Sequence, residues 1–67
     1  MVSYKCRLQD ILKIRGISQA ELAKRTGFTP AMINMISKSK RVPTIHNAIV
    51  IAWALQCSIY DIWEVEQ

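Results

Sequence analysis

Helix start and stop signals recur along this chain at short intervals, and their spacing constrains the fold more than any other feature. The chain has two glycines, Gly16 and Gly27. Each comes directly after a segment whose apolar residues recur at helical spacing, which is the position where a residue in the left-handed conformation commonly ends a helix. The start signals are hydroxyl residues that can accept from a free backbone amide: Ser18 with Glu21, Thr29 with Pro30, Thr44 after Pro43, and Ser58 with Asp61. The pattern predicts five short helices without a repeat or a linker.

These signals also set the bounds of the predicted helices. The helices run from about Lys5 to Arg15, from Gln19 to Arg25, from Pro30 to about Ser37, from the Pro43–Thr44 pair through Leu55, and for one turn at Ile59–Ile62. In the third helix, Ile33 and Ile36 point to the core. In the fourth, the most apolar of the five, the predicted inner stripe consists of Ile45, Ala48, Ile51 or Ala52, and Leu55.

The two ends of the chain change to the two-residue period that is typical of strands. Near the C-terminus, Trp63 and Val65 alternate with glutamates, and near the N-terminus Val2, Tyr4 and Cys6 alternate with polar residues. The two termini could therefore pair as a small ribbon. The expected fold is an all-α bundle of five helices, with this β ribbon as a possible addition.

Composition indicates one small globular domain, spanning residues 1–67. Apolar residues make up 51% and charged residues 21% of the chain, which is typical of a folded domain and not of a disordered tail. Because a chain of 67 residues has a small core, a partner subunit would help to stabilise it. A deep enzyme cleft or an effector domain is hard to build at this length, so no small-molecule effector is expected.

Several other classes of protein are also disfavoured. The first ten residues contain no apolar run of signal-peptide length. The longest apolar stretch, Ala48 to Leu55, is too short to span a bilayer. We therefore expect no membrane contact and a cytoplasmic location. Cys6 and Cys57 lie far apart with no metal-ligand spacing around them and are predicted to be free thiols. The inventory of side chains offers no catalytic constellation, metal site or cofactor motif, and the single histidine, His46, is interpreted as a surface residue.

Charge is polarised along the chain. From Lys13 to Arg41 there are seven cations and one anion, a net charge of +6, whereas the remainder has two cations and four anions, a net charge of −2. A basic middle beside an acidic C-terminus indicates an anionic partner, for which nucleic acid is the commonest candidate. A solubilising surface is the alternative explanation that charge alone leaves open.

The second and third predicted helices form a helix-turn-helix, in which a tight turn at Gly27 and Phe28 joins Gln19–Arg25 to Pro30–Ser37. The chain from about Ile17 to Trp63 resembles the lambda-repressor-like, Cro-type helix-turn-helix family. The residues that carry the resemblance, in order, are Ser18-Gln19-x-x-Leu22-Ala23, Gly27, Ile33, Pro43 and Ile51-Ala52-x-Ala54-Leu55. Each piece is weak alone, but together their order and spacing are specific.

The resemblance implies a sequence-specific protein that binds double-stranded DNA, with the third helix in the major groove and the second across the backbone. The positions matched to base reading are Pro30, Ala31, Met32, Asn34 and Met35. The positions matched to phosphate contacts are Ser18, Gln19, Thr29, Lys38, Lys40, Arg41 and Thr44. Asn34 can pair with the edge of adenine, and Ala31 and Met35 suit the methyl group of thymine, so each half-site is predicted to contain an A·T pair.

A homodimer is expected, because one such module covers only about 600 to 1,000 Å² on DNA and reads few base pairs. A two-fold dimer requires a pseudo-palindromic operator, and a repressor is the expected role. The predicted interface is Trp53, Ile62, Trp63 and Val65, with segment 62–67 as a dimerisation extension that Val2 and Tyr4 of segment 1–5 could join. His46, Val50, Trp53 and Cys57 also form one apolar stripe on the fourth helix, which either packs against the ribbon or meets a second subunit.

Two departures from the family pattern affect the end of the third helix. Ser39 stands where the family usually has glycine, and a serine forced to positive φ would be strained. Ser37 stands where the family often has glutamate.

The apolar reading face also leaves open an alternative function. The chain could be a protein-binding module of the same fold, of the antitoxin or antirepressor type.

Overall fold

Five helices and one two-stranded ribbon make up the fold in a computed structural model that describes residues 3–66. In chain order the elements are β1 (Ser3–Cys6), α1 (Leu8–Arg15), α2 (Gln19–Thr26), α3 (Pro30–Ser37), α4 (Ile45–Leu55), α5 (Ile59–Ile62) and β2 (Trp63–Glu66). The predicted helical bundle with a terminal ribbon is therefore confirmed. No helix in this part of the chain is long and apolar enough to cross a membrane.

The hydroxyl residues chosen from the sequence begin four of the helices. Ser18 Oγ accepts from the amide of Glu21 at 3.0 Å, and Thr29 Oγ1 accepts from the amide of Met32 at 3.2 Å. Equivalent bonds begin α4 at Thr44 and α5 at Ser58. Each bond satisfies an amide that has no partner within its helix, so these side chains determine where the helices start.

The ribbon takes residues that the sequence pattern assigned to the first helix. β1 and β2 are antiparallel, with Tyr4 opposite Val65, and Cys6 opposite Trp63. Because Lys5 and Cys6 pair with β2, α1 begins only at Leu8, and the predicted start at Lys5 is wrong. Val2, also expected in the ribbon, lies outside the described residues.

The core contains one apolar stripe from every helix. Its fully buried large side chains are Leu8, Leu22, Ile33, Ile36, Ile51, Leu55 and Ile62. Ile45, predicted for the inner stripe of α4, is instead 73% exposed. It is the first residue of α4, and Ala48, one turn later, is the first residue of that helix to be buried.

Two residues predicted for the subunit interface belong to this core. Ile62 is fully buried and Trp63 is only 8% exposed. Pairing of β2 with β1 holds Trp63 opposite Cys6, which packs against the core. The side chains of Ile62 and Trp63, which the sequence assigned to a subunit interface, are therefore packed inside the domain and offer little surface to a second subunit. Val65 and Trp53, the other two predicted interface residues, remain exposed.

Both cysteines are free and half-buried, as the sequence predicted. Burial raises the pKa of the Cys6 thiol and of the Cys57 thiol, and for Cys57 the nearby charge of Arg15 opposes part of that effect. Both thiols are therefore protonated near neutral pH and behave as small apolar groups. Within residues 3–66, no three His, Cys, Asp or Glu side chains are close enough together to hold a metal ion.

Helix α3 ends on a serine in the left-handed region of φ and ψ. Ser39 has a φ of 59°, its amide donates to the carbonyl of Ile36 at 3.1 Å, and the amide of Lys40 donates to the carbonyl of Met35 at 2.9 Å. This pair of bonds is a Schellman motif, in which glycine is usual because it has no Cβ to clash. The strain anticipated from the sequence at Ser39 is thus present.

We expect Ser39→Gly to stabilise the protein by about 0.5 to 1 kcal/mol, because the relief of left-handed strain exceeds the extra freedom of glycine in the unfolded chain. For a domain of this size the melting temperature should rise by about 2 to 8 °C in a calorimetric scan. Lys38→Gly is the matched control, since Lys38 has a φ of −92° and no such strain to lose. Equal or lower stability of Ser39→Gly would contradict the strain.

Candidate nucleic-acid interface

A tight turn fixes α2 and α3 to each other. Gly27 ends α2 with a φ of 79°, and its amide donates to the carbonyl of Ala23 at 2.8 Å. Thr26 Oγ1 donates to the carbonyl of Leu22 at 2.9 Å and accepts from the amide of Phe28 at 3.2 Å. Phe28 packs against the core, so the chain enters α3 in one direction. The sequence reasoning missed Thr26, although a hydroxyl residue directly before a cap glycine is a usable signal.

Helix α3 presents the predicted reading residues on its outer side. Ile33 and Ile36 are buried, whereas Pro30 and Ala31 are exposed and Met35 is 42% exposed. Met32 and Asn34 are half-buried at the edges of this surface, and Met32 also packs against the core. Proline at the first helical position leaves α3 without one amide donor at its exposed end.

A chain of hydrogen bonds joins the start of α2 to the last turn of α3. Gln19 Nε2 donates to Ser37 Oγ at 3.4 Å, and Ser37 Oγ donates to the carbonyl of Asn34 at 2.8 Å. Ser37 is the one buried polar residue of the described core. The sequence reasoning assigned it no role, although its spacing of four residues from Ile33 places it on the inner side of α3.

Cations follow directly from that last turn of α3. Lys38, Lys40 and Arg41 are all exposed, and α4 then begins at its cap, Thr44. Ion pairs among residues 3–66 join Arg7 to Glu64 at 2.8 Å and Arg25 to Glu21 at 3.4 Å, so neither pair neutralises these three cations. The amino-terminal end of α2 therefore lies beside α3 and a loop of uncompensated positive charge.

Three predicted phosphate-contact residues are helix caps whose hydroxyl groups retain a free proton. Ser18, Thr29 and Thr44 each accept one backbone amide bond through the side-chain oxygen. A hydroxyl group can donate one bond while it accepts another, so a cap can also donate to an anion. The partial positive charge at a helix amino terminus favours an anion at the same place.

A separate apolar groove lies between the ribbon and the start of α4. It has a volume of about 290 Å³, and its lining residues are Tyr4, Val42, Pro43, Ala48, Ile59, Trp63 and Ile45. Tyr4 and Val65, which pair across the ribbon, extend this apolar surface outward and are about half exposed. Helix α4 has no charged residue along its length.

Trp53 is 75% exposed, so the explanation that it packs against the ribbon is wrong. Val50, on the same stripe of α4, is half-buried, and His46 is exposed at the start of the helix. The indole of Trp53 therefore belongs to the outer surface of the protomer.

Comparison with known proteins agrees with this arrangement. A family model described as helix-turn-helix matches residues 8–62. The chain is similar to the P22 c2 repressor protein, whose structure was solved in complex with a synthetic operator, at 31% identity and a TM-score of 0.75 over 81% of this chain and 82% of that chain. It is also similar in fold to the restriction-modification controller protein C.AhdI from Aeromonas hydrophila, at 24% identity and a TM-score of 0.77 over 82% of this chain and 83% of that chain.

Comparison with curated protein sequences finds no match. The family model, however, covers most of the chain, and the P22 repressor is more than three-tenths identical over four-fifths of it. Among the residues that carried the resemblance in the sequence, Ser18 caps α2, Gly27 ends it, and Ile33 is buried in α3. This chain belongs to the helix-turn-helix family of lambda-repressor and Cro type.

Proposed function

We propose that this protein is a transcriptional regulator that binds double-stranded DNA in a sequence-specific way, with α3 in the major groove. The observation that carries the proposal is the bond from Gln19 to Ser37, which sets the amino terminus of α2 against the last turn of α3, where the cationic loop begins. Groups whose chemistry suits phosphate thus flank the outer surface of α3. The operator complex of the P22 c2 repressor, a relative at 31% identity, supports the same mode of binding.

The groups around α3 divide into two kinds by their chemistry. Lys38, Lys40 and Arg41, with the caps and Gln19, can neutralise or donate to phosphates, which sets the position of the protein on the duplex. Asn34 carries the one side-chain amide among the reading residues, and its amide has no hydrogen-bond partner within residues 3–66. It is therefore the residue we assign to adenine, while Ala31 and Met35 offer apolar contact to thymine.

We further propose that two copies form a dimer through the apolar groove beside α4. Ile45 and Val42, both more than 70% exposed, continue directly from the cationic loop, so a two-fold axis here keeps both reading helices close to the dimer interface. Tyr4, which lines the groove, and Val65, which pairs with it across the ribbon, add exposed apolar surface at the same place. Such a dimer would bind a pseudo-palindromic operator, and occupation of that operator would repress transcription by excluding polymerase.

Asn34→Ala tests the assignment of base reading. The operator would be selected from a random duplex pool, and anisotropy would then measure binding to variants with each base pair changed. We expect a loss of about 1 to 3 kcal/mol that depends on one A·T position, because only that pair loses its amide partner. Lys40→Ala is the contrasting variant, with a loss that is equal for all sequences and a shallower salt dependence. A uniform loss for Asn34→Ala would refute its role.

Salt dependence tests DNA binding against the rival protein-binding function. The half-exposed Met35 and the apolar Pro30 and Ala31 are the observation that favours the rival. If Lys38, Lys40 and Arg41 of both copies in a dimer neutralise phosphates, the logarithm of affinity should fall with the logarithm of salt concentration with a slope of about −5. Apolar contact with a protein predicts almost no slope. Absence of duplex binding even at low salt would favour the rival.

The dimer is tested with Ile45→Gln. Its side chain is 73% exposed, so the change leaves the core intact but places a polar amide in the apolar groove. We expect the dimer to dissociate about tenfold more readily in sedimentation equilibrium, with weaker binding to a full operator. Ile14→Gln is the matched control, because Ile14 is 80% exposed on α1 and outside the groove. If Ile45→Gln changes the dissociation of the dimer no more than Ile14→Gln does, the interface lies elsewhere.

A further inference from the structure

Ser37 is a buried polar residue whose bonds connect two functional parts of the surface. Its side chain lies on the buried side of α3, one turn after Ile33. It is hydrogen-bonded to the side chain of Gln19 in α2 and to the carbonyl of Asn34 in α3. A buried hydroxyl group must keep its hydrogen bonds, or its burial costs free energy. The described residues contain no buried side-chain nitrogen or oxygen without a partner, so the hydroxyl of Ser37 is satisfied by these two bonds.

The direction of the bonds fixes which end of the Gln19 amide faces Ser37. The hydroxyl group has a single proton, and that proton goes to the carbonyl of Asn34 at 2.8 Å. Ser37 Oγ can then only accept from Gln19, so the amide nitrogen must be the group at 3.4 Å. The second proton on that nitrogen is left for another acceptor.

We propose that Ser37 is a positioning residue that holds the Gln19 amide with one N–H directed to a DNA phosphate and fixes the start of α2 relative to the reading residue Asn34. This inference rests on the proposed function, because it assigns the free N–H of Gln19 to the duplex. Ser37 itself touches no DNA. Its effect is to prevent the glutamine side chain from sampling other rotamers before binding, which lowers the entropic cost of the phosphate contact.

A double-mutant cycle on DNA affinity tests the coupling. The variants Ser37→Ala, Gln19→Ala and the double mutant would be compared with the unchanged chain on the duplex enriched from a random pool. We expect each single change to weaken binding by about threefold to tenfold, as for the loss of one hydrogen bond. The double mutant should bind about as well as Gln19→Ala alone, because Ser37 acts only through Gln19. Losses that multiply, or unchanged affinity of Ser37→Ala, would overturn the inference.

Ser58→Ala separates positioning from general stability. Ser58 caps α5 by accepting from the amide of Tyr60 at 3.1 Å, and it lies outside the proposed DNA surface. Its removal should lower the melting temperature yet change DNA affinity by less than about twofold, because only the cap is lost. An equal loss of affinity in Ser58→Ala and Ser37→Ala would mean that stability alone explains both, and the inference would fail.

Nuclear magnetic resonance of the free, unchanged protein tests the same bond without DNA and without a variant that must fold. The side-chain amide of Gln19 should show one dominant rotamer and slow internal motion, in contrast to that of Gln9, an exposed glutamine on α1. A Gln19 amide as mobile as that of Gln9 overturns the positioning role even if the protein binds DNA. An ordered Gln19 in a protein that binds no duplex would instead refute the proposed function.

Discussion

The stability of every element depends on one shared core, because no helix in this chain is long enough to persist alone. The four longer helices have between 8 and 11 residues, whereas isolated helices shorter than about 12 to 15 residues are marginal in water. Burial of the seven large apolar side chains, from Leu8 to Ile62, supplies the free energy of folding that helix propensity alone cannot provide. The helices therefore form together, and the surface that they present exists only in the folded protomer.

The proposed DNA surface follows from how that core holds α2 and α3. Burial of Ile33 and Ile36 turns one side of α3 inward and leaves the opposite side to solvent. Thr26 and Gly27 fix the turn, and Ser37 and Gln19 join the other ends of the two helices. With both ends joined, the orientation of α3 relative to α2 is fixed, which suits the proposed role of α3 in the major groove.

A small core also explains the amount of apolar surface that remains outside. In a domain of this size, the protomer cannot cover all of its large apolar side chains, and several stay exposed around α4 and the ribbon, among them Ile45 and Trp53. Asp, Glu, Lys and Arg are absent from α4, and its polar residues His46 and Asn47 lie in the first turn, so the rest of the helix is apolar. The same shortage of interior that leaves these residues exposed favours a second subunit as their cover.

The fold class, most of the helix boundaries and the exposed side of α3 could be predicted from the sequence, because each depends on local chemistry. A hydroxyl before a helix satisfies a free amide, a glycine accepts positive φ, and apolar spacing selects the inner side. Burial at the ends of elements could not be predicted in this way. Spacing alone assigned Ile45 to the core, and Trp63 was expected at a subunit interface and not in the core.

Only the tertiary structure decided between such alternatives. Whether Trp63 is covered depends on the pairing of Cys6 with β2, a contact between residues near opposite ends of the chain. Whether Ser37 has a role depends on the approach of Gln19 from another helix. Thus the sequence by itself determined the helices and the residues that α3 offers to a ligand, since these depend on neighbours a few positions away. The interior, the exposed surface and the hydrogen bond between Gln19 and Ser37 depend on which distant segments meet.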